Sequence, residues 1–410
     1  MIYQPPAGAR DLLPLEVAQK AWINDRLQQI FCQYGYQRIV TSTIEWLDTL
    51  TAGGAIKPAT VIQLKDNSEG TLGLRPEITA SIARTAVTRM AGNIYPQRLC
   101  YRANVFRNPP KNHDGGQLEF YQAGVELLFA GGVIADAEII LLLANCLESL
   151  GIPDWQILLG DAGLTRSLLS VFSPKIRKQV RYCLANLDRI TLENLDLAPH
   201  LKARALVLFD LRGEPKTVLE KVATLDLDSA AAATVTNLQS LLDLLNQTSQ
   251  NPLPLTLDLS LLQTIDYYTG IVFEAVSFHD NQCYLLGQGG RYDRLLELYH
   301  PQQKSAPGIG FALNIEDLHS ALITTKKLPQ QTPASDWLIV AENQEAQVAA
   351  LHHAAILRNS TPEVRVELDL GERNPEAIRE YARHCRIKQI AWIKPDGTSV
   401  TENVLSNGAA

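Results

Sequence analysis

A few short stretches of this 410-residue chain place polar side chains where they could do chemistry. In QLEFYQAGVELLF (117–129) the alternation is that of a strand, so Leu118, Phe120, Gln122, Gly124 and Glu126 share one face. Gln122 and Glu126, with a glycine between them, form a polar notch on an apolar face. A buried carboxylate is costly unless something pairs with it. An internal arginine would satisfy Glu126, and so would the ammonium or imidazole N–H of a ligand, for which Gly124 leaves space. In LRPEITA (74–80), Pro76 is suited to the first turn of a helix and Glu77 to the positive end of its dipole, so Glu77 has either a helix-start or a ligand-facing role. The tyrosine pair Tyr267 and Tyr268, before a Thr-Gly turn, serves packing or binding. GQGGRYD (287–293) lacks the Lys-Ser/Thr of a P-loop and the Rossmann spacing, so its glycines predict close backbone approach within a sheet. His113 stands alone in a polar loop and reads as solvated.

The elements that must hold these groups follow from periodicity and turn residues. Residues 16–33 have helical spacing of Trp22, Ile23, Leu27, Ile30 and Phe31, with Gly35 as a stop. Residues 99–107 and 117–129 read as an antiparallel hairpin joined by the turn-rich loop NPPKNHDGG, and 136–150 as a buried helix. Leu/Ala-rich segments such as 200–211 and 229–246 predict a mostly helical insertion over about 160–250. Strands are expected at 271–277 and 283–286, a helix from near Asp293, and a strand-to-helix passage over 306–318. The polar, proline-bearing stretch 324–335 marks a boundary. Beyond it DWLIVA, a helix near 344–358, VRVELDL, a helix near 375–384 and QIAWI alternate as in a small α/β domain with a largely parallel sheet.

Composition narrows the function classes. A net charge of −7 gives no overall pull towards nucleic acid or anionic membranes. The longest apolar stretch, Ile139–Ala144, falls short of a membrane span, and the N-terminus carries no basic-then-apolar leader pattern. The six cysteines are far apart, without Cys-x-x-Cys or metal-ligand spacing, which predicts reduced core thiols, a cytoplasmic location and no metal site.

Taken in order, the motifs resemble those of the histidyl-tRNA synthetases, a class II synthetase family. PPAGARDLLP (5–14) resembles motif 1, and LCYRANVFRNPPKNHDGGQLEFYQAGVE (99–126) resembles motif 2. LSLLQTIDYYTGIVFE (259–274) resembles the histidine-specific segment, while LGQGGRYDRLL (286–296) and PGIGFALNIEDL (307–318) resemble the end of the core with motif 3. The resemblance implies an α+β fold: a class II antiparallel sheet with flanking helices over 1–325, a linker at 326–335 and a truncated anticodon-binding-like α/β domain at 336–410. It also implies a histidine pocket, with Glu77, Thr79, Gln122 and Glu126 around the amino group and imidazole, Tyr267 and Tyr268 beside the imidazole, and Arg107 as the remnant of an ATP α-phosphate contact.

The departures from the family pattern fall on arginines. Gln263 and Thr264 stand where the histidine-specific segment has Arg-Gly, and Asp317 stands where motif 3 has arginine. Gly115-Gly116-Gln117-Leu118 replaces Gly-Arg-x-Arg, and Pro109 replaces a glutamate that helps hold adenine. Arginine supplies permanent bidentate donors to the phosphate charge that builds up during adenylation. One such donor is worth roughly 3–4 kcal/mol in the transition state. The resemblance therefore implies no catalytic residues, no cofactor and no metal. It points to a branch of the family, the regulatory subunits of ATP phosphoribosyltransferase, which activate a short-form catalytic subunit in the first step of histidine biosynthesis and take part in histidine feedback. The partners implied are that catalytic subunit, a second copy of the chain through the synthetase-like core within a larger hetero-oligomer, and histidine, with no tRNA and no membrane. A divergent histidyl-tRNA synthetase and an orphan histidine-binding paralogue are the alternatives. Residues 331–410 carry eight Lys/Arg against eleven Asp/Glu, a net −3, a poor surface for RNA.

Overall fold

The computed structural model describes residues 3–54, 56–64, 70–92, 95–109, 117–248, 252–261, 267–371 and 373–404. The chain divides into two compact units, Met1–Pro329 and Gln330–Ala410. Among the described residues, the first unit is built on a nine-stranded, mostly antiparallel sheet. The hairpin strands Gln97–Phe106 and Glu119–Leu128 pair antiparallel, and Gly308–Asn314, Gln282–Arg291 and Ile271–His279 continue the sheet in that order.

Each face of this sheet has its own cover. Cys100, Ala123, Val125 and Leu127 pack against the helices Pro14–Gln33 and Val133–Leu150 through Ile23, Leu27, Phe31, Leu143 and Leu147. Alternate residues point the other way, where Leu99, Tyr101, Tyr268 and Tyr292 meet Ile78, Ile82 and Ala86 beside the helix Thr79–Val87.

Several elements differ from the sequence expectation for local physical reasons. The helix after LRPEI starts at Thr79, not Pro76, because Arg75 is still tied to strand and loop backbone through its guanidinium. The strand expected at 283–286 runs on through the GQGGR run, which forms the second half of Gln282–Arg291. A Cβ on Gly290 would lie 2.7 Å from both the Ile271 carbonyl and the Tyr268 ring, which is the close approach its glycines predicted. The helical insertion contains Ala162–Leu169, Pro174–Ala185, Arg189–Asn194, Pro199–Phe209, Pro215–Ala223 and Ser229–Thr248. The strand Trp155–Asp161 precedes it and pairs with Ile271–His279, so the sheet extends further than the sequence pattern suggested. Of the six thiols expected in the core, Cys32 and Cys283 are exposed.

The second unit has a four-stranded sheet in the order Val366–Leu368, Trp337–Ala341, Gln389–Ile393, Ser399–Asn403. The first three strands are parallel and the last, absent from the sequence reading, is antiparallel. The helices Gln347–Arg358 and Pro375–His384 cover separate apolar clusters, one with Ile339, Ala391 and Ile393, the other with Leu338, Val340 and Ile390. No helix among the described residues is long and apolar enough to cross a membrane.

Candidate functional site

The polar notch read from strand 117–129 is the floor of a buried cavity lined by Glu77, Thr79, Tyr101, Arg107, Gln122, Glu126, Tyr267, Tyr268, Gln288 and Tyr292. All seven residues singled out from the sequence thus come together, although they arise from the helix start at 79, the two hairpin strands and the segment before Ile271. Three polar contributors were not foreseen: Tyr101, Gln288 and Tyr292. The last two sit in and just after the glycine-rich strand, whose alternation on its own does not reveal which face it shares.

Glu126 is 1% exposed. Its Oε1 accepts a hydrogen bond from Thr79 Oγ1 at 2.6 Å and its Oε2 one from the Tyr292 hydroxyl. No arginine reaches it among the described residues, so the internal-arginine reading of this carboxylate is corrected. Burial raises its pKa to about 8, against the lowering effect of its two hydroxyl donors, with the neighbouring charge of Glu77 adding to the rise. The buried carboxyl therefore holds its proton more tightly than a free one, and a cation placed beside it would favour its ionised form.

Gly124 does not leave the room for a ligand that its place beside Glu126 suggested. A Cβ there would meet the Tyr101 hydroxyl at 2.6 Å, so this room is already taken. The residue that makes way is Gly310, which faces Glu126 in register across the antiparallel pair, and whose Cβ would collide with Glu126 Oε2.

Glu77 is 7% exposed. It precedes the helix instead of lying in its first turn, and its Oε1 accepts the Ala80 N–H at 2.9 Å. Its Oε2 is buried and accepts no hydrogen bond among the described residues. Burial raises its pKa, while the helix-start N–H and Arg107 act in the other direction. Glu77 therefore has both roles open to it from sequence: one oxygen caps the helix and the other faces the cavity. Arg107 donates from Nε to the Pro76 carbonyl at 2.7 Å, and burial lowers its pKa. The rings of Tyr267 and Tyr268 lie 4.9 Å apart, and Tyr292 meets Tyr267 edge-on at 5.7 Å. Two carboxyls, one with an unused oxygen, within an aromatic wall are the groups that a cationic nitrogen ligand would require.

Of the positions that depart from the family's arginines, Gln263, Thr264, Gly115 and Gly116 lie outside the described residues, as does His113. Leu118 donates its backbone N–H to Gly8, and Gln117 bonds the Glu119 carbonyl. Asp317 lies in the first turn of the helix Ile315–Leu322, where Asn314 Nδ2 donates to it at 2.5 Å. It does not line the cavity. Burial, and then Glu316, raise its pKa to about 6. Glu316 is tied down by Lys20 and by the Tyr121 N–H.

This architecture and constellation have clear counterparts. Residues 8–318 match the family model described as histidyl-tRNA synthetase. The ATP phosphoribosyltransferase regulatory subunit of Gloeothece citriformis is 66% identical over 98% of this chain and 100% of its own length. That of Rippkaea orientalis is 64% identical over 99% of this chain and 100% of its own. A crystal structure from Bacillus halodurans described as an ATP phosphoribosyltransferase regulatory subunit/histidyl-tRNA synthetase superposes with a TM-score of 0.80 at 26% identity, covering 96% of this chain and 99% of that one. With near full-length identity of this order added to the ordered motifs and the class II sheet, the chain belongs to the family of ATP phosphoribosyltransferase regulatory subunits, built on a histidyl-tRNA-synthetase-like core.

Proposed function

We propose that the chain is a non-catalytic subunit that activates a short-form ATP phosphoribosyltransferase catalytic subunit in the first step of histidine biosynthesis and contributes to feedback inhibition by reading histidine. The observation that carries the proposal is the correspondence, over essentially the whole chain, with relatives named as regulatory subunits. The site supports it in chemical terms. Glu77 Oε2 offers a buried acceptor to an ammonium, Glu126 offers a second carboxyl to ammonium or imidazole, and Tyr267 and Tyr268 wall the imidazole side. Arg107 is the remnant of a phosphate contact. Asp317 in place of an arginine, with Gln263 and Leu118, removes the donors that adenylate formation requires. The working assembly is a dimer through the core within a cytoplasmic hetero-oligomer with the catalytic subunit, without tRNA. The terminal α/β unit takes the place of an anticodon-binding domain from about residue 336, after a linker at 326–335.

In the present conformation the cavity is about 30 Å³. That is space for a water or two, so histidine enters by moving its walls.

The test is co-expression with a short-form catalytic subunit. The expected result is a stable complex, a rise in transferase turnover and inhibition by histidine that Glu126→Gln relieves. Histidine-dependent ATP–pyrophosphate exchange by the purified chain would overturn the reading in favour of a synthetase.

A further inference from the structure

The terminal unit carries a crevice that the histidine reading does not use. Its volume is about 1090 Å³, and it lies over the carboxyl ends of the parallel strands Trp337–Ala341, Val366–Leu368 and Gln389–Ile393. The chain leaves the middle strand for a helix packed on one apolar cluster and returns to the strand at one side. It then crosses by a helix on the other cluster to the strand at the opposite side. In open α/β sheets this reversal of strand order opens a crevice at the carboxyl edge where ligands bind.

Asp369 lines this crevice directly after Val366–Leu368, with its backbone N–H still bonded to Ile339 at 2.8 Å. The side chain is only 6% exposed. Oδ2 accepts the Gly371 N–H at 3.2 Å, but Oδ1 is buried and accepts no hydrogen bond among the described residues. The cation nearest to it, Arg373, stands with Nη1 3.8 Å from Oδ1, beyond hydrogen-bond reach, and its guanidinium lies over the Tyr381 ring at 4.0 Å. The other arginine in the lining, Arg379, is committed to Glu402, which also accepts the Trp392 indole N–H. The crevice therefore presents a buried carboxylate and a guanidinium that form a loose ion pair with no hydrogen bond between them.

We propose that this crevice binds a zwitterionic α-amino acid, its ammonium on Asp369 and its carboxylate on Arg373. A plain amine would meet repulsion from Arg373, and a phosphate or other plain anion would meet Asp369 and Glu342. A ligand with both signs on one carbon satisfies both partners. Leu351, Leu370, Ile378 and Trp392 supply apolar wall for its side chain. Entry requires the Arg373 side chain, 40% exposed, to swing off the carboxylate.

The experiment is saturation-transfer NMR on the full-length chain carrying Glu126→Gln, which weakens the core pocket, with each of the twenty standard L-amino acids as probe and the same chain with Arg373→Gln as the reference for transfer outside the crevice. The expected result is transfer to at least one of them, loss of transfer to its N-acetyl and its amide derivatives, and affinity weakened about tenfold or more by Asp369→Asn and by Arg373→Gln. Asp369 is buried and its substitution risks unfolding the unit, whereas Arg373→Gln changes a partly exposed side chain, so the second variant decides. Absence of transfer to all twenty, or transfer that Arg373→Gln leaves unchanged, overturns the proposal. Neither outcome touches the histidine reading of the core pocket, which is tested without this substitution.

Discussion

Asp136 and Glu126 are both carboxylates buried in the core unit, and the same strand end serves them both. Arg291, at the end of Gln282–Arg291, donates from Nε to Asp136 at 2.9 Å, and the next residue, Tyr292, donates its hydroxyl to Glu126. Alternation along the chain sends these two neighbours to opposite faces. Burial raises both acids, Asp136 to about 6 against the opposing charge of Arg291, and Glu126 to about 8 with hydroxyls alone. Where the chain supplies its own cation, the carboxylate belongs to the fold. Where it supplies only hydroxyls, the acid has no charge partner of its own among the described residues.

Substitutions can break this contrast. The largest effect is expected from Arg291→Ala, which leaves Asp136 buried without its partner and should cost about 3–5 kcal/mol in urea denaturation. Adding Asp136→Asn should recover part of that loss. Glu126→Gln is expected to leave stability nearly unchanged while weakening histidine binding by roughly 2 kcal/mol, about 30-fold, in isothermal titration. If its destabilisation equalled that of Arg291→Ala, the two carboxylates would have the same role and the contrast would fail.

The same contrast has a pH signature. Glu126 holds its proton more tightly folded than unfolded, so its contribution to stability is full below the unfolded carboxylate pKa, near 4.3, and is lost as pH rises towards about 8. Melting temperatures of the wild type should therefore fall between pH 6 and 8 more steeply than those of Glu126→Gln. Parallel curves would show that Glu126 does not titrate in that window. The smallest effect is expected from Tyr292→Phe, about 1 kcal/mol of stability. Because the lost hydrogen bond lowers the Glu126 pKa, its removal should push the titration higher, as followed by carbon-13 NMR of the glutamate carboxyls.

Much of the site is legible in the sequence because its chemistry is concentrated in segments with a strong local period. Strand alternation puts Gln122 and Glu126 on one face, and the family motifs add Glu77, Thr79, Arg107 and the tyrosine pair. What escapes depends on pairing between distant strands. Gly310 matters because register sets it against Glu126, and nothing in GIGF states its partner. Tyr292 belongs to the site only once the glycine-rich run is seen to be a strand. The same limit hides Trp155–Asp161, a short apolar run whose partner strand lies beyond the whole helical insertion. The helix start moves from Pro76 to Thr79 because the contacts of Arg75 are with backbone remote in sequence.

The small volume of the core cavity has a consequence for any ligand it admits. If only a fraction of molecules is open at any moment, the apparent dissociation constant of any ligand bound there is the intrinsic one divided by that fraction. The affinity then depends on how often the walls part as much as on the contacts. A substitution in the walls that touches no ligand but doubles the open fraction would halve that constant, so the affinity can drift or be tuned while the residues lining the cavity stay the same.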